Sequence, residues 1–210
     1  GGENDSPSRN LSRWIDGLAE QDKAGLDVRQ IWRVDRMGRG GDQIPFLEAG
    51  YPAVRFSVAV EDYDHQHQDL RTEDGTVYGD TIDEMDFGYL ARVTQLNVRA
   101  LDRLASVPVP PAPTAQAAVR TSTLIEWAPV AGAASYEVYR RRTAQPTWEA
   151  EPLVVVTSTE TLKVDLTGVR GDDWFFGVNA CSAQGACSPV ASAVPAGQFA
   201  PVAAVEDDSD

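Results

Sequence analysis

His65 and His67 are the only histidines in 210 residues, and they stand two apart in Tyr63-Asp64-His65-Gln66-His67-Gln68-Asp69. An imidazole can hold a metal ion, move a proton or change charge near neutrality, and in a strand-like loop residues i and i+2 point to the same side. Residues 61–86 around the pair carry ten acidic side chains and one basic one. Three readings are open to such a loop: a histidine-based zinc site, an oxygen-only site for calcium, and a solvated acidic loop with two idle histidines. Asp69, Asp80 and Asp83 are the carboxylates that could orient an imidazole by taking a hydrogen bond from its second nitrogen.

Cys181 and Cys187 are the other reactive pair, separated by Ser182-Ala183-Gln184-Gly185-Ala186. Two cysteines without a nearby histidine cluster make a poor zinc site, and thiol catalysis lacks a partner base in this half. A turn containing Gly185 can bring their Cα atoms to the roughly 4.4–6.8 Å that a disulfide needs, so a disulfide is expected, with two reduced, buried thiols as the alternative. A persistent bond of this kind belongs to an oxidising compartment.

Two styles of sequence position these residues, and they meet near Ser106. Leu11, Trp14, Ile15 and Leu18 recur at helical spacing between Ser8, a candidate N-cap, and Gln21, with Gly25 placed to end the segment. Val28–Val34 reads as a strand, Gln43–Ala49 as a short helix closed by Gly50, and Ala53–Val58 as a second strand. Phe87, Leu90, Val93, Leu101 and Leu104 predict a last helix of about five turns. Strands alternating with helices imply a parallel sheet covered on both faces, an α/β domain over residues 1–106.

Val107-Pro108-Val109-Pro110-Pro111-Ala112-Pro113 cannot continue a helix, because each proline lacks an N–H and holds its predecessor extended; residues 107–113 are a stiff linker. Beyond it the pattern changes to short alternating runs at Thr123–Trp127, Tyr136–Arg142, Leu153–Thr157, Leu162–Leu166 and Trp174–Ala180, which predict an all-β sandwich over 114–198. Residues 199–210 form an acidic tail. Arg140, Arg141 and Arg142 read as a solubilising basic patch, and Trp148 and Trp174 as packing residues rather than a binding platform.

The order Leu124-Ile125-Glu126-Trp127, Tyr136-Glu137-Val138-Tyr139-Arg140, Trp174-Phe175-Phe176-Gly177-Val178-Asn179-Ala180 and Gly185-Ala186-Cys187-Ser188-Pro189 resembles a fibronectin type III domain. The resemblance implies that Trp127, on the second strand, packs against an aromatic of the third.

In the first half, Gly41-Asp42-Gln43-Ile44-Pro45-Phe46-Leu47-Glu48-Ala49-Gly50-Tyr51-Pro52-Ala53-Val54 is similar to a stretch of the bacterial di-zinc aminopeptidase family related to glutamate carboxypeptidase and the transferrin receptor. That family reads Ser-Asp-His, a Phe, a Gly and Pro-Ala, then a histidine loop, Asp-Thr and a long helix. Here the loop is residues 63–69 and Asp80-Thr81-Ile82-Asp83 precede the helix, so the match runs over about residues 8–105. Gln43 stands where the family commonly has His, and residues 70–79 are an insertion. The resemblance implies the C-terminal part of an α/β/α domain that binds two zinc ions through two His and three carboxylates, with a Glu as general base. This chain would supply only the last ligand. His67 is favoured, because Gln68-Asp69 follow it, and His65, with Asp69 four residues on, is the other candidate.

The expected parent protein is therefore a secreted, periplasmic or cell-surface zinc exopeptidase of aminopeptidase type. Its partners are a peptide or protein substrate and the N-terminal part of the catalytic domain, and the chain alone is expected to be inactive. It begins Gly1-Gly2-Glu3, as a processed or truncated product would. A non-catalytic extracellular adhesion module on a degenerate peptidase scaffold is the alternative, and an acidic calcium-binding surface protein a third reading. The net charge of −14 is spread over both halves, with 12 basic and 20 acidic groups in residues 1–107 and 6 and 12 in 108–210, so nucleic acid is not expected as a partner. No apolar run approaches the roughly 20 residues of a membrane span.

Overall fold

A computed structural model describes residues 5–21, 25–31, 40–157, 160 and 162–196; the tail at 199–210 lies outside them. The chain divides into two compact units, Gly1–Ser106 and Val107–Asp210.

The first unit is built on two helices. Helix α1 spans Pro7–Gln21 and its small core residues Ile15 and Ala19 are buried. Its start differs from expectation: the Ser6 hydroxyl accepts the Arg9 N–H at 3.4 Å, whereas the Ser8 hydroxyl accepts the N–H of Ala53, fastening a distant segment to the helix. A short helix, α2, spans Gln43–Glu48, and Gly50 follows with φ 83°, the left-handed conformation that stops a helix cheaply only in glycine. Strands β1 (Arg71–Glu73) and β2 (Thr76–Tyr78) form an antiparallel hairpin. A 3₁₀ turn at Ile82–Glu84 leads to helix α3, Phe87–Ser106, whose first turn is capped by Asp86 through the N–H of Tyr89 at 2.8 Å.

Leu96 and Ala100 of α3 pack with Ile15 and Ala19 of α1, and Leu26, Val28 and Val54 cover the pair. Gln30 ties its segment to α1, donating to Asp16 at 2.7 Å and accepting from Ser12 at 3.0 Å; burial holds the Asp16 carboxyl above its ordinary range.

The two strands expected at Val28–Val34 and Ala53–Val58 are not formed among the described residues, of which 32–34 are not part. Residues 25–31 keep the alternation of a strand, with Leu26, Val28 and Gln30 turned inward, yet among the described residues no strand pairs with them. Backbone extended without a neighbour has no ladder and is not a sheet. Among the described residues, the first unit therefore has a two-stranded sheet only, β1–β2, in the stretch that reads from the sequence as an insertion.

The second unit is all-β. Its strands are β3 (Thr114–Gln116), β4 (Thr123–Glu126), β5 (Ser135–Arg142), β6 (Val154–Val156), β7 (Lys163–Leu166), β8 (Trp174–Cys181), β9 (Ala191–Ser192) and β10 (Val194–Pro195). One sheet has the order β10-β3-β4-β7 and the other β6-β5-β8-β9. All neighbours are antiparallel except β10 and β3. This is the sandwich arrangement of a fibronectin type III-like domain.

Alternation makes the core: Ile125, Tyr136, Val138, Phe176, Val178 and Ala180 are buried between the sheets with Trp127, Leu162 and Leu166. The Tyr136 hydroxyl accepts the Val130 N–H at 2.8 Å, so a buried polar group meets a turn that needs an acceptor. Trp127 packs on Tyr136, as the resemblance implied.

Candidate metal centre

The two histidines of the acidic loop are placed very differently. His65 is the more enclosed, its side chain 22% exposed, and its Nδ1 lies 3.0 Å from the backbone carbonyl of Gly79. Its Nε2 lies 4.0 Å from Oε1 of Glu84 in the 3₁₀ turn. The hydrogen bond to Gly79, joined by the negative charges of Glu84, Asp62 and Asp64, holds the imidazole above its ordinary pKa. His67 is exposed, its backbone is left-handed at φ 56°, and it makes no hydrogen bond with a described residue. The i, i+2 argument for a shared direction fails here, because the loop is a series of bends rather than a strand.

The hairpin grows out of this loop and returns to it. The Gly79 N–H donates to the Asp64 carbonyl at 3.1 Å and the Asp80 N–H to the Gln68 carbonyl at 3.3 Å. Asp74 and Gly75, at φ 49° and 84°, form the two-residue turn whose twist suits a hairpin, and Arg71 lies over the Tyr78 ring at 4.0 Å across the strands. The Asp-Gly pair was the sequence signal for this hairpin, but three-residue strands are too short to announce themselves.

Among the described residues, no hydrogen bond or ion pair joins Asp69, Asp80 or Asp83 to either histidine; the group that meets Nδ1 of His65 is a main-chain carbonyl. Gln43 lies on α2, and its Oε1 is buried without a hydrogen-bond partner.

The chemistry of the donor set fits a zinc ligand at His65: one ring nitrogen lies against a carbonyl, and in the neutral ring with hydrogen on that nitrogen the other offers a lone pair. A complete ligand set is not assembled by the described residues. Their one cluster of metal-binding types is Glu137, Cys181 and Cys187, with donor atoms within 4.8 Å of one another. Both sulfurs are already consumed, because Cys181 and Cys187 form the expected disulfide, with Cα atoms 4.0 Å apart across an isolated antiparallel bridge.

On the sandwich, the three arginines are not one solvated patch. Arg141 is fully buried, with its guanidinium 4.3 Å from the Phe175 ring centroid, 5.3 Å from that of Trp148, and donating to the Gln145 carbonyl at 3.0 Å. Arg140 and Arg142 both stack on Trp174, at 4.0 and 4.1 Å, and Arg140 pairs with Glu149 at 3.0 Å. Both tryptophans serve packing.

No helix among the described residues is long and apolar enough to cross a membrane.

No family model matches the chain. It is 41% identical over 204 residues to a protein of Leptosphaeria maculans named a probable zinc metalloprotease, an alignment covering 93% of this chain and 45% of that protein. Proteins of the same name from Pyrenophora teres f. teres and Pyricularia oryzae are 40% and 39% identical, over 93% of this chain and 40% of theirs. These relatives are fungal. Among solved structures, FN3tt matches 42% of this chain and 91% of its own at 17% identity and a TM-score of 0.34, and an Fn3-like protein of Clostridium thermocellum 43% and 91% at 21% and 0.33. The chain is thus similar, through both of its units, to fungal proteins named as zinc metalloproteases, and it spans less than half the length of each.

Proposed function

We propose that this chain is the C-terminal part of a secreted zinc-dependent exopeptidase, of aminopeptidase type, and that it contributes His65 as one metal ligand. The observation that carries the reading is the similarity to proteins named as zinc metalloproteases over 93% of the chain. The geometry of the loop supports His65 over His67 as that ligand. His65 has its Nδ1 3.0 Å from a backbone carbonyl and its Nε2 without a hydrogen bond to a described residue, whereas His67 has no partner among the described residues to aim it. That reverses the preference drawn from the sequence.

Two zinc ions, when bound, would polarise the scissile carbonyl and supply hydroxide near neutral pH. His65 presents its Nε2 lone pair, and the remaining ligands and the general base belong to an upstream segment. The outer side of α3 supports such a segment. Phe87, Leu90, Val98 and Leu101 follow one another at helical spacing and are exposed, Leu101 by 68%, on the side opposite buried Leu96 and Ala100. A helix apolar on both sides belongs inside a domain. Ile31, Phe56 and Val58, on segments outside any strand, and Val60 in the bend that follows are also exposed. An upstream sheet would cover them and supply the missing ladder. The disulfide fits an oxidising destination.

The test is a longer protein that carries the upstream residues. It should hydrolyse aminoacyl anilides, lose activity to a chelator and regain it with zinc, while residues 1–210 alone show no turnover. Metal analysis of that protein should find one zinc equivalent lost in His65→Ala and little change in His67→Ala. Retention of full zinc by His65→Ala would remove the ligand assignment, and an inactive longer protein that binds zinc would remove the peptidase.

A further inference from the structure

The insertion of residues 70–79 has no role in the reading above, yet it ends against the histidine that reading depends on. We propose that Gly79 is a positioning residue and the β1–β2 hairpin its brace: together they fix His65 in the tautomer with hydrogen on Nδ1, so that Nε2 is held as a lone pair.

A main-chain carbonyl can only accept, so the 3.0 Å contact between Gly79 O and Nδ1 requires the ring hydrogen to be on Nδ1. The competing site is Glu84, which would favour hydrogen on Nε2, but its oxygen is 4.0 Å away, beyond hydrogen-bond range. The nearer acceptor decides the tautomer.

Gly79 can play this part because of where the hairpin holds it. The pairing of Arg71 with Tyr78 sets Leu70 and Gly79 side by side at the open end of the hairpin, and the N–H of Gly79 donates to Asp64, the residue before His65. The carbonyl is therefore fastened on both sides, through the hairpin and through the loop backbone. Only glycine fits. Its φ is +142°, which L side chains rarely adopt, and a Cβ there would overlap the Leu70 side chain and lie 3.4 Å from the Leu70 Cα. Without paired strands, residues 70–79 would be a free loop, and the carbonyl would have no fixed direction.

The tautomer claim concerns this chain as it stands; its value for metal binding rests on the proposal that His65 is a ligand. With only two histidines, the 210-residue chain suits long-range nitrogen–proton NMR of the imidazoles, taken where both rings are neutral and assigned with His67→Gln. His65 should carry its hydrogen on Nδ1, whereas His67 should show the ordinary solution mixture and act as an internal control. Gly79→Ala should move His65 toward that mixture and leave His67 unchanged. If Gly79→Ala does not fold, Gly75→Val, which places a β-branched side chain at φ +84°, loosens the brace from its far end and should shift His65 the same way. In the longer protein, Gly79→Ala should weaken zinc affinity by about 10–100-fold, the usual cost of losing such an orienting partner. Hydrogen on Nε2 of His65 in the unaltered chain, or a His65 spectrum unmoved by both variants, overturns the proposal. Zinc that survives His65→Ala counts against the ligand assignment instead, and leaves the tautomer result intact.

Discussion

The rings of Trp127 and Tyr136 meet with centroids 5.5 Å apart and planes tilted by 57°, one just beyond the end of β4 and the other on β5, so a single aromatic pair joins the two sheets of the sandwich. Tyr136 is fully buried and its hydroxyl is the acceptor for Val130.

Tyr136→Phe keeps the ring and strands a backbone N–H, and should destabilise the sandwich by about 1–3 kcal/mol. Tyr136→Ala also opens a cavity and should lose about 3–5 kcal/mol. Urea unfolding followed by tryptophan fluorescence separates the two. Equal losses would mean that the ring contributes nothing beyond its hydroxyl.

Gly177 has no room for a methyl group. A Cβ there would come within 2.5 Å of the Val190 side chain and 2.9 Å of both the Ala191 carbonyl and the Trp148 ring. Because one of the three is backbone of the paired strand β9, the clash cannot be relieved by a rotamer change. Gly177→Ala should cost about 1–3 kcal/mol, and a thermal melt matching that of the unaltered chain would refute this account.

Reducing Cys181–Cys187 reopens a loop with a sequence separation of only 6. In the chain-entropy treatment so short a loop is worth about 2–3 kcal/mol, so the reduced sandwich should melt at lower temperature and still fold. Mass spectrometry of the unreduced protein after alkylation should find no labelled thiol, and two labels would show that the bond is not made.

Tyr139 gives the sandwich an alkaline limit. Its hydroxyl donates to Glu137 at 2.7 Å, and burial, that hydrogen bond and the nearby carboxylate charge raise its pKa above the usual tyrosine range. The folded state thus keeps a proton that the unfolded chain releases near pH 10, so stability is full below that pH and falls as pH rises beyond it. Tyr139→Phe should flatten the fall in a series of melts above pH 9. A fall of the same slope in the variant would place its origin elsewhere.

What could be read from the sequence follows from which signals are local. Helices α1 and α3 and the long strands β5 and β8 carry periodicity over many residues, and the cysteine pair needed only a turn. The short strands β3, β9 and β10 exist through their neighbours, not through any pattern of their own. Val28 and Val54 do turn to the helices as strand residues would, but a ladder requires a second chain segment beside them. The histidine loop was found by composition. The proposal of His65 over His67 rests on a carbonyl 14 residues away, a partner that no side-chain pattern reveals.

The parallel pairing between β3 and β10, the one such pair among the described residues, has a mechanical consequence. Val194 donates to the Pro113 carbonyl at 3.0 Å and Ala196 to Ala115 at 2.8 Å, so residues at the two extremes of the sandwich are laced directly together. Because the strands run the same way, tension applied backward through the proline segment and forward beyond Ala196 would slide one along the other. Both bonds would then bear the load at once, in shear, rather than open in turn like a zipper. Resistance to pulling is governed by the rate of unfolding, so this short clamp would set the sandwich's lifetime under force.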